Sequence, residues 1–177
     1  VTIRPATIED VEALARIVRS SYDHLPRDHV PYEMPLYHPE HHAHAMEDAA
    51  TRWALLCEDG WPAGVAMWRM LPGLAHLHML FVDAAYQGRG YGVRLLRYHQ
   101  QDARHEQPGI RLYTLHCLRD SYWAMRFYRH QGYTLYEAGD EGRVPDLVLW
   151  MDACRRHDNG WPLRDDKCLW YKRAGRA

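Results

Sequence analysis

Six residues, Gln87-Gly88-Arg89-Gly90-Tyr91-Gly92, constrain the fold of this chain more than any other stretch. Before them Leu74–Val82, bounded by Pro72-Gly73, reads as a β-strand. After them Tyr91–His105 carries Leu95, Leu96, His99 and Ala103 at helical spacing. Glycines between a strand and a helix let the backbone approach a ligand closely and aim several N–H groups at it. Such a turn is an anion site suited to a pyrophosphate. A Walker A loop is excluded, because no Gly-Lys-Ser/Thr follows. A dinucleotide fingerprint fits poorly, since its third glycine falls on Val93. The strand also carries His76 and His78, whereas a first Rossmann strand is nearly continuous in apolar residues.

The rest of the chain supplies the frame for this turn. Val1–Arg4 reads as a short strand, and residues 8–22 as an amphipathic helix opened by Thr7 and Asp10 in a relative of the capping box. Pro26, Pro31, Pro35 and Pro39 forbid a long helix before a second one over Glu40–Thr51. Trp53–Cys57 and Ala63–Met70 form a hairpin through Glu58-Asp59-Gly60. Beyond the glycine turn and its helix, Arg111–Cys117 is a strand, Ser121–Gln131 a helix stopped by Gly132, and Tyr133–Glu137 and Leu147–Met151 closing strands. Residues 152–177 receive no assignment beyond a last apolar patch, Cys168–Tyr171. Hairpins followed by a β-α-β unit predict an α/β fold, with a mixed, mainly antiparallel central sheet and helices on both faces.

At 177 residues the chain suits one domain with a sizeable core, and its formal charge of −1 gives no global field toward nucleic acid or an anionic membrane. Any anion site is local. Cys57, Cys117, Cys154 and Cys168 lie far apart without a C-x-x-C pair, which fits a reducing compartment rather than a disulfide framework. No apolar run approaches membrane-span length and the first residues lack a signal-peptide core, so the expectation is a cytoplasmic protein. His38, His41, His42 and His44 are the one cluster dense enough to suggest a metal. With no cysteine or second ligand pair nearby, they read as an exposed helix face, and no metal is expected.

Two motifs make the turn specific. Gln87-x-x-Gly90-x-Gly92 matches the Q/R-x-x-G-x-G/A segment by which GNAT (GCN5-related) N-acetyltransferases hold the pyrophosphate of coenzyme A. Ser121-x-x-Ala124-x-x-Phe127-Tyr128-x-x-x-Gly132-Tyr133 resembles their second signature, with Ser121 where the family often has Asn. The similar stretch runs from Thr2 to about Met151, which implies an acetyltransferase domain over 1–151 and a C-terminal extension, 152–177, packed on it. The resemblance implies acetyl-CoA as cosubstrate. Its pantetheine arm pairs with the main chain of Leu80, Phe81 and Val82, and its phosphates meet Gln87, Gly88, Arg89, Gly90, Tyr91 and Gly92. Ser121 and Ala124 lie close to it. A homodimer is compatible with family habit.

Acetyl transfer to an amine needs a group that takes the ammonium proton and one that protonates the departing thiolate. His76 and His78, two apart on one strand, share a face and have a reference pKa near 6.5. Ala75–Val82 resembles the corresponding strand of arylalkylamine (serotonin) N-acetyltransferases, in which two such histidines relay the proton, and His76 falls where other members carry a catalytic glutamate. The resemblance makes Tyr128 the acid. It also places the second helix and the preceding loop over the acceptor, so that Tyr22, Tyr32, Met34 and Tyr37 line the cleft. The expected acceptor is a small-molecule primary amine. The alternatives are a protein or peptide amine, and a non-catalytic acyl-CoA-binding module that would have no need of His76, His78 or Tyr128.

Overall fold

The computed structural model describes residues 1–23, 35–157 and 166–175, with side chains left out at 149 and 153–157. Among the described residues, seven strands form one sheet: β1 (Thr2–Pro5), β2 (Thr51–Glu58), β3 (Trp61–Leu71), β4 (Leu74–Val82), β5 (Leu112–Leu118), β6 (Thr134–Leu135) and β7 (Lys167–Arg173). Their hydrogen-bonded order is β1-β2-β3-β4-β5-β7-β6. The helices are α1 (Val11–Ser20), α2 (Pro39–Met46), α3 (Tyr91–Glu106), α4 (Tyr122–His130) and α5 (Asp146–His157). The chain divides into two compact units, Val1–Arg69 with Met79–Asp102, and Met70–His78 with Ala103–Ala177.

In the first unit, β1 pairs antiparallel with β2 and β2 with β3. The β2–β3 turn has Asp59 at φ 50° and Gly60 at φ 85°, the paired positive angles that match a tight turn to the twist of a hairpin. Alternation along β2 and β3 then sorts the core. Trp53, Leu55, Cys57 and Val65 face Leu14, Ile17 and Val18 of α1. Trp68 instead meets Tyr98 and His99 of α3, with ring centroids 6.3 and 5.2 Å away. Helices therefore cover both faces of these strands. The 3-10 turn Ile8–Asp10 that leads into α1 is fixed as the sequence predicts: Asp10 accepts from the Thr7 backbone N–H at 2.8 Å, completing a capping box.

In the second unit, β4 runs parallel to β5 in register from Leu74↔Leu112 to Leu77↔Leu115. β7 lies antiparallel to β5 and to β6. The apolar patch left unassigned in the sequence is therefore an internal strand, between β5 and β6. Leu147–Met151, expected as a strand, lies in α5. A run of five mainly apolar residues is compatible with either state. Asp146 in the first turn and Leu147 and Trp150 three apart favour the helix, whose inner face packs on Leu74, Leu112, Leu169 and Tyr171. Glu40–Thr51 is likewise shorter as a helix, ending at Met46 because Thr51 begins β2.

Candidate active site

The glycine turn belongs to the first unit. Gly88 and Gly90 have φ of 76° and 79°, and a Cβ built on either meets nothing within 4 Å. The glycines serve the backbone path, and the turn's outer surface is open to a ligand. α3 follows directly at Tyr91, so its first N–H groups, which have no intrahelical acceptors, complete the anion-binding end. The turn is braced from below. Gln87 Nε2 donates to Ser21 O at 3.1 Å and to Val82 O at 3.0 Å, which spends its side chain on protein carbonyls. Glu58 accepts from Arg89 at 2.8 Å and from the Tyr91 hydroxyl. Asp83, paired with Arg16, accepts from the Ala85 N–H at 3.1 Å and holds the entry to the turn. These residues fit a pyrophosphate held mainly by main-chain N–H groups.

The predicted acceptor residues fall partly together. Tyr22 packs edge-on to Tyr37 with centroids 6.4 Å apart and lies 5.9 Å from Phe81. Burial pushes the Tyr22 phenol up to about 12, with Tyr37 adding to the shift, and burial also raises Tyr37. Both therefore stay protonated and act as hydrogen-bonding aromatic walls rather than bases. Tyr32 and Met34 lie outside the described residues. A cavity of about 250 Å³ is lined by Arg16, Arg19, Asp23 and Tyr37. A larger cleft of about 420 Å³ beside Trp53, Trp68 and Tyr98 contains none of the predicted residues. Chemistry rather than size therefore locates the site.

In the second unit the two strand histidines do share a face. Their rings meet edge-on with centroids 4.6 Å apart. Their environments differ. His76 is 2% exposed and His78 is half-buried. His76 Nδ1 lies 2.8 Å from Thr114 Oγ1 and accepts from Trp150 Nε1 at 3.0 Å, while its Nε2 lies 3.1 Å from His116 Nδ1. His116 Nε2 points toward Lys167 Nζ at 3.5 Å. Burial, with lesser contributions from Lys167 and His78, lowers His116 to about 3, so its ring is neutral at physiological pH.

Sequence reading missed His116, Thr114 and Trp150. The available signal was Thr114-x-His116, a second alternating polar pair on the strand that the β-α-β unit sets parallel to β4. Trp150 was hidden by reading its helix as a strand.

Tyr128 is 8% exposed on α4, its ring edge-on to Phe127 and Tyr133 at 5.1 and 5.9 Å. Ser121 is the N-cap of that helix and makes no side-chain capping bond, and Ala124 follows on its first turn. Cys117 is half-buried with its Sγ 3.6 Å from that of Cys168. The histidine cluster of α2 is not one exposed face: His42 is fully buried, its Nε2 2.8 Å from Leu36 O and its ring edge-on to Trp53. The carbonyl identifies Nε2 as the donor. Among the described residues no group of three or more metal-ligating side chains is arranged around an ion-sized space.

Comparison with known proteins agrees with this geometry. The family model of the acetyltransferase (GNAT) family matches residues 12–133, more than half of the chain. The fold is similar to PaiA N-acetyltransferase from Thermoplasma acidophilum, solved in complex with coenzyme A (16% identity, 98% of each chain, TM-score 0.73). It is also similar to a ribosomal-protein-alanine N-acetyltransferase from Brucella melitensis (16% identity, 98% of this chain and 100% of that one, TM-score 0.66). An acetyltransferase from Thermus thermophilus gives 17% identity, 98% of each chain and a TM-score of 0.68. No curated protein matches the sequence. The strand-turn-helix with its open glycine turn, and the family model that spans it, place this chain in the GNAT family of acetyltransferases.

Proposed function

We infer that this enzyme transfers the acetyl group of acetyl-CoA directly to a primary amine of a small molecule. The observation that carries the reading is the strand-turn-helix itself: β4 bears His76 and His78, then Leu80–Val82, then a turn whose two positive-φ glycines leave its outer surface open. Acetyl-CoA supplies an acyl group already activated as a thioester. Leu80, Phe81 and Val82 offer main-chain groups to its arm, and Gly88–Gly92 with the start of α3 hold its phosphates. A histidine of β4 takes the amine proton, so that the nitrogen lone pair is available for attack on the acyl carbon. Tyr128 donates its phenolic proton as negative charge gathers on the departing sulfur. Transfer is direct, without a covalent enzyme intermediate. Residues 1–151 carry the catalytic groups on this reading, and β7 of the C-terminal segment is an internal strand of the sheet rather than an addition packed on it.

The aromatic group of Tyr22, Tyr37 and Phe81 supports a small, partly apolar acceptor. A protein N-terminus is the second reading, favoured by the similarity to an enzyme named for a ribosomal-protein alanine. Thiol release from acetyl-CoA, measured over arylalkylamines, aliphatic diamines and alanyl peptides, separates the two. Saturable turnover with a small amine, and none with peptides, is expected. Peptide-only turnover would move the assignment to protein acetylation. Tyr128→Phe is expected to lower kcat by about 10²-fold, the lower end of the range for general acid catalysis. An unchanged kcat would remove Tyr128 from the chemistry.

A further inference from the structure

We propose that Trp150, Thr114 and His116 hold His76 in a single neutral tautomer, making His76 a positioning residue and leaving His78 as the general base. The inference deepens the acetyltransferase reading and rests on it for the role of His78. It does not rest on it for the tautomer.

The argument is one of donors and acceptors. An indole N–H can only donate, so Trp150 Nε1, 3.0 Å from His76 Nδ1, requires that nitrogen to carry a lone pair. Thr114 Oγ1, 2.8 Å from the same atom, either donates or accepts and so decides nothing by itself. With Nδ1 bare, the single proton of neutral His76 sits on Nε2, which faces His116 Nδ1 at 3.1 Å. Nε2–H therefore donates, His116 Nδ1 accepts, and the proton of neutral His116 is on its own Nε2, where Lys167 Nζ at 3.5 Å is too distant to outweigh the 3.0 Å bond from Trp150. The reverse order would leave both nitrogens of His76 accepting, which a neutral imidazole cannot do.

This direction decides which ring takes a proton. Protonating His76 places an N–H on Nδ1 against the indole N–H of Trp150, donor against donor. Protonating His116 places an N–H on Nδ1 against the one arriving from His76, beside the Lys167 ammonium. Both sites are thus closed to the amine proton. His78 is on the same face, half-buried, directly after the last pair of the β4–β5 ladder. His116 follows that ladder on the partner strand. The edge-on contact of the His76 ring, 4.6 Å from His78, fixes the orientation of the base. Groups that face His76 include Trp150 from α5, Thr114 and His116 from β5 and His78 from its own strand. Lys167 of β7 faces His116.

The test is long-range ¹H–¹⁵N correlation of the imidazoles in the full-length protein at neutral pH, with His76 assigned by the signals missing in His76→Gln. The expected result is one Nε2–H tautomer for His76 and for His116, unchanged across the pH range in which His78 titrates. Trp150→Phe removes the donor and is expected to give His76 a mixture of tautomers. It should also displace the acid limb of the pH–rate profile. A wild-type His76 that is Nδ1-protonated, or that averages between tautomers, would overturn the proposal whether or not the protein acetylates amines. A correct tautomer in a protein that releases no thiol would instead count against the acetyltransferase reading alone. An acid limb that follows His76 rather than His78 would also overturn it.

Discussion

Replacing His78 by Gln is expected to lower kcat/KM for acetyl transfer by about 10²–10⁴-fold, the usual contribution of a positioned general base. The imidazole of His78 must be neutral to accept a proton. The wild-type rate therefore rises with pH through the titration of that ring, and the rising acid limb should vanish in His78→Gln. His76→Gln should lose activity too, because the ring that orients His78 is gone, yet keep an acid limb. Acetyl-CoA affinity should change little in either variant, since neither side chain is assigned to the cofactor. The distinction is a strong one because the two residues are equivalent by sequence: same type, same strand, same face. The bonds of Trp150, Thr114 and His116 to His76 separate them. A His78→Gln variant with a tenth or more of wild-type activity and an intact acid limb would contradict the assignment.

Acid should unfold this protein earlier than its carboxylates alone would dictate. Burial lowers His99 to about 3, and His116 is lowered to a similar value. In the unfolded chain both return to about 6.5. Between about 3 and 6.5 the unfolded state therefore binds protons that the native state does not. Stability is intact above that window and is lost as pH falls through it, by roughly 1 kcal/mol per pH unit for each ring. Against a typical total of about 5–15 kcal/mol, two such rings matter by pH 4. The lowered carboxyls respond at lower pH. Asp10, bonded to Arg4, and Asp140, held first by the Glu137 backbone N–H and then by Arg143, give up their contribution only as pH drops below about 4. His99 is fully buried against Trp68 and away from the histidines of β4 in sequence and chemistry, so it can be tested separately. His99→Leu should move the acid-unfolding midpoint, followed by circular dichroism, to lower pH. An unmoved midpoint would show that His99 carries no such load.

Much of the fold was legible where the signal is local. The alternation of Trp53–Cys57, the positive-φ pair at Asp59-Gly60, the strand ending at Val82 and the helix beginning at Tyr91 are each written in a few adjacent residues. The C-terminal part was not. Nothing in Cys168–Tyr171 says that it inserts between β5 and β6, because strand order is fixed by packing between distant segments. Leu147–Met151 is too short for its apolar run to choose a period, and it was misread as a strand. The site divides the same way. Gly88, Gly90, His76 and His78 stand out because their meaning depends on near neighbours. Thr114, His116 and Trp150 become meaningful only when a parallel ladder and a helix bring them to His76, across 38, 40 and 74 residues of chain. His42 was misplaced for a related reason. Its density among other histidines suggested an exposed face, whereas the carbonyl of Leu36 and the ring of Trp53 make a buried seat for it.

The central claim is that the turn from Gln87 to Gly92 holds acetyl-CoA. Calorimetric titration of the purified protein with acetyl-CoA and CoA, with ATP and NAD as controls, tests it most directly. The account predicts saturable binding of acetyl-CoA and CoA at one site per chain, with no comparable binding of NAD or ATP. Folded protein that binds neither acetyl-CoA nor CoA would contradict it.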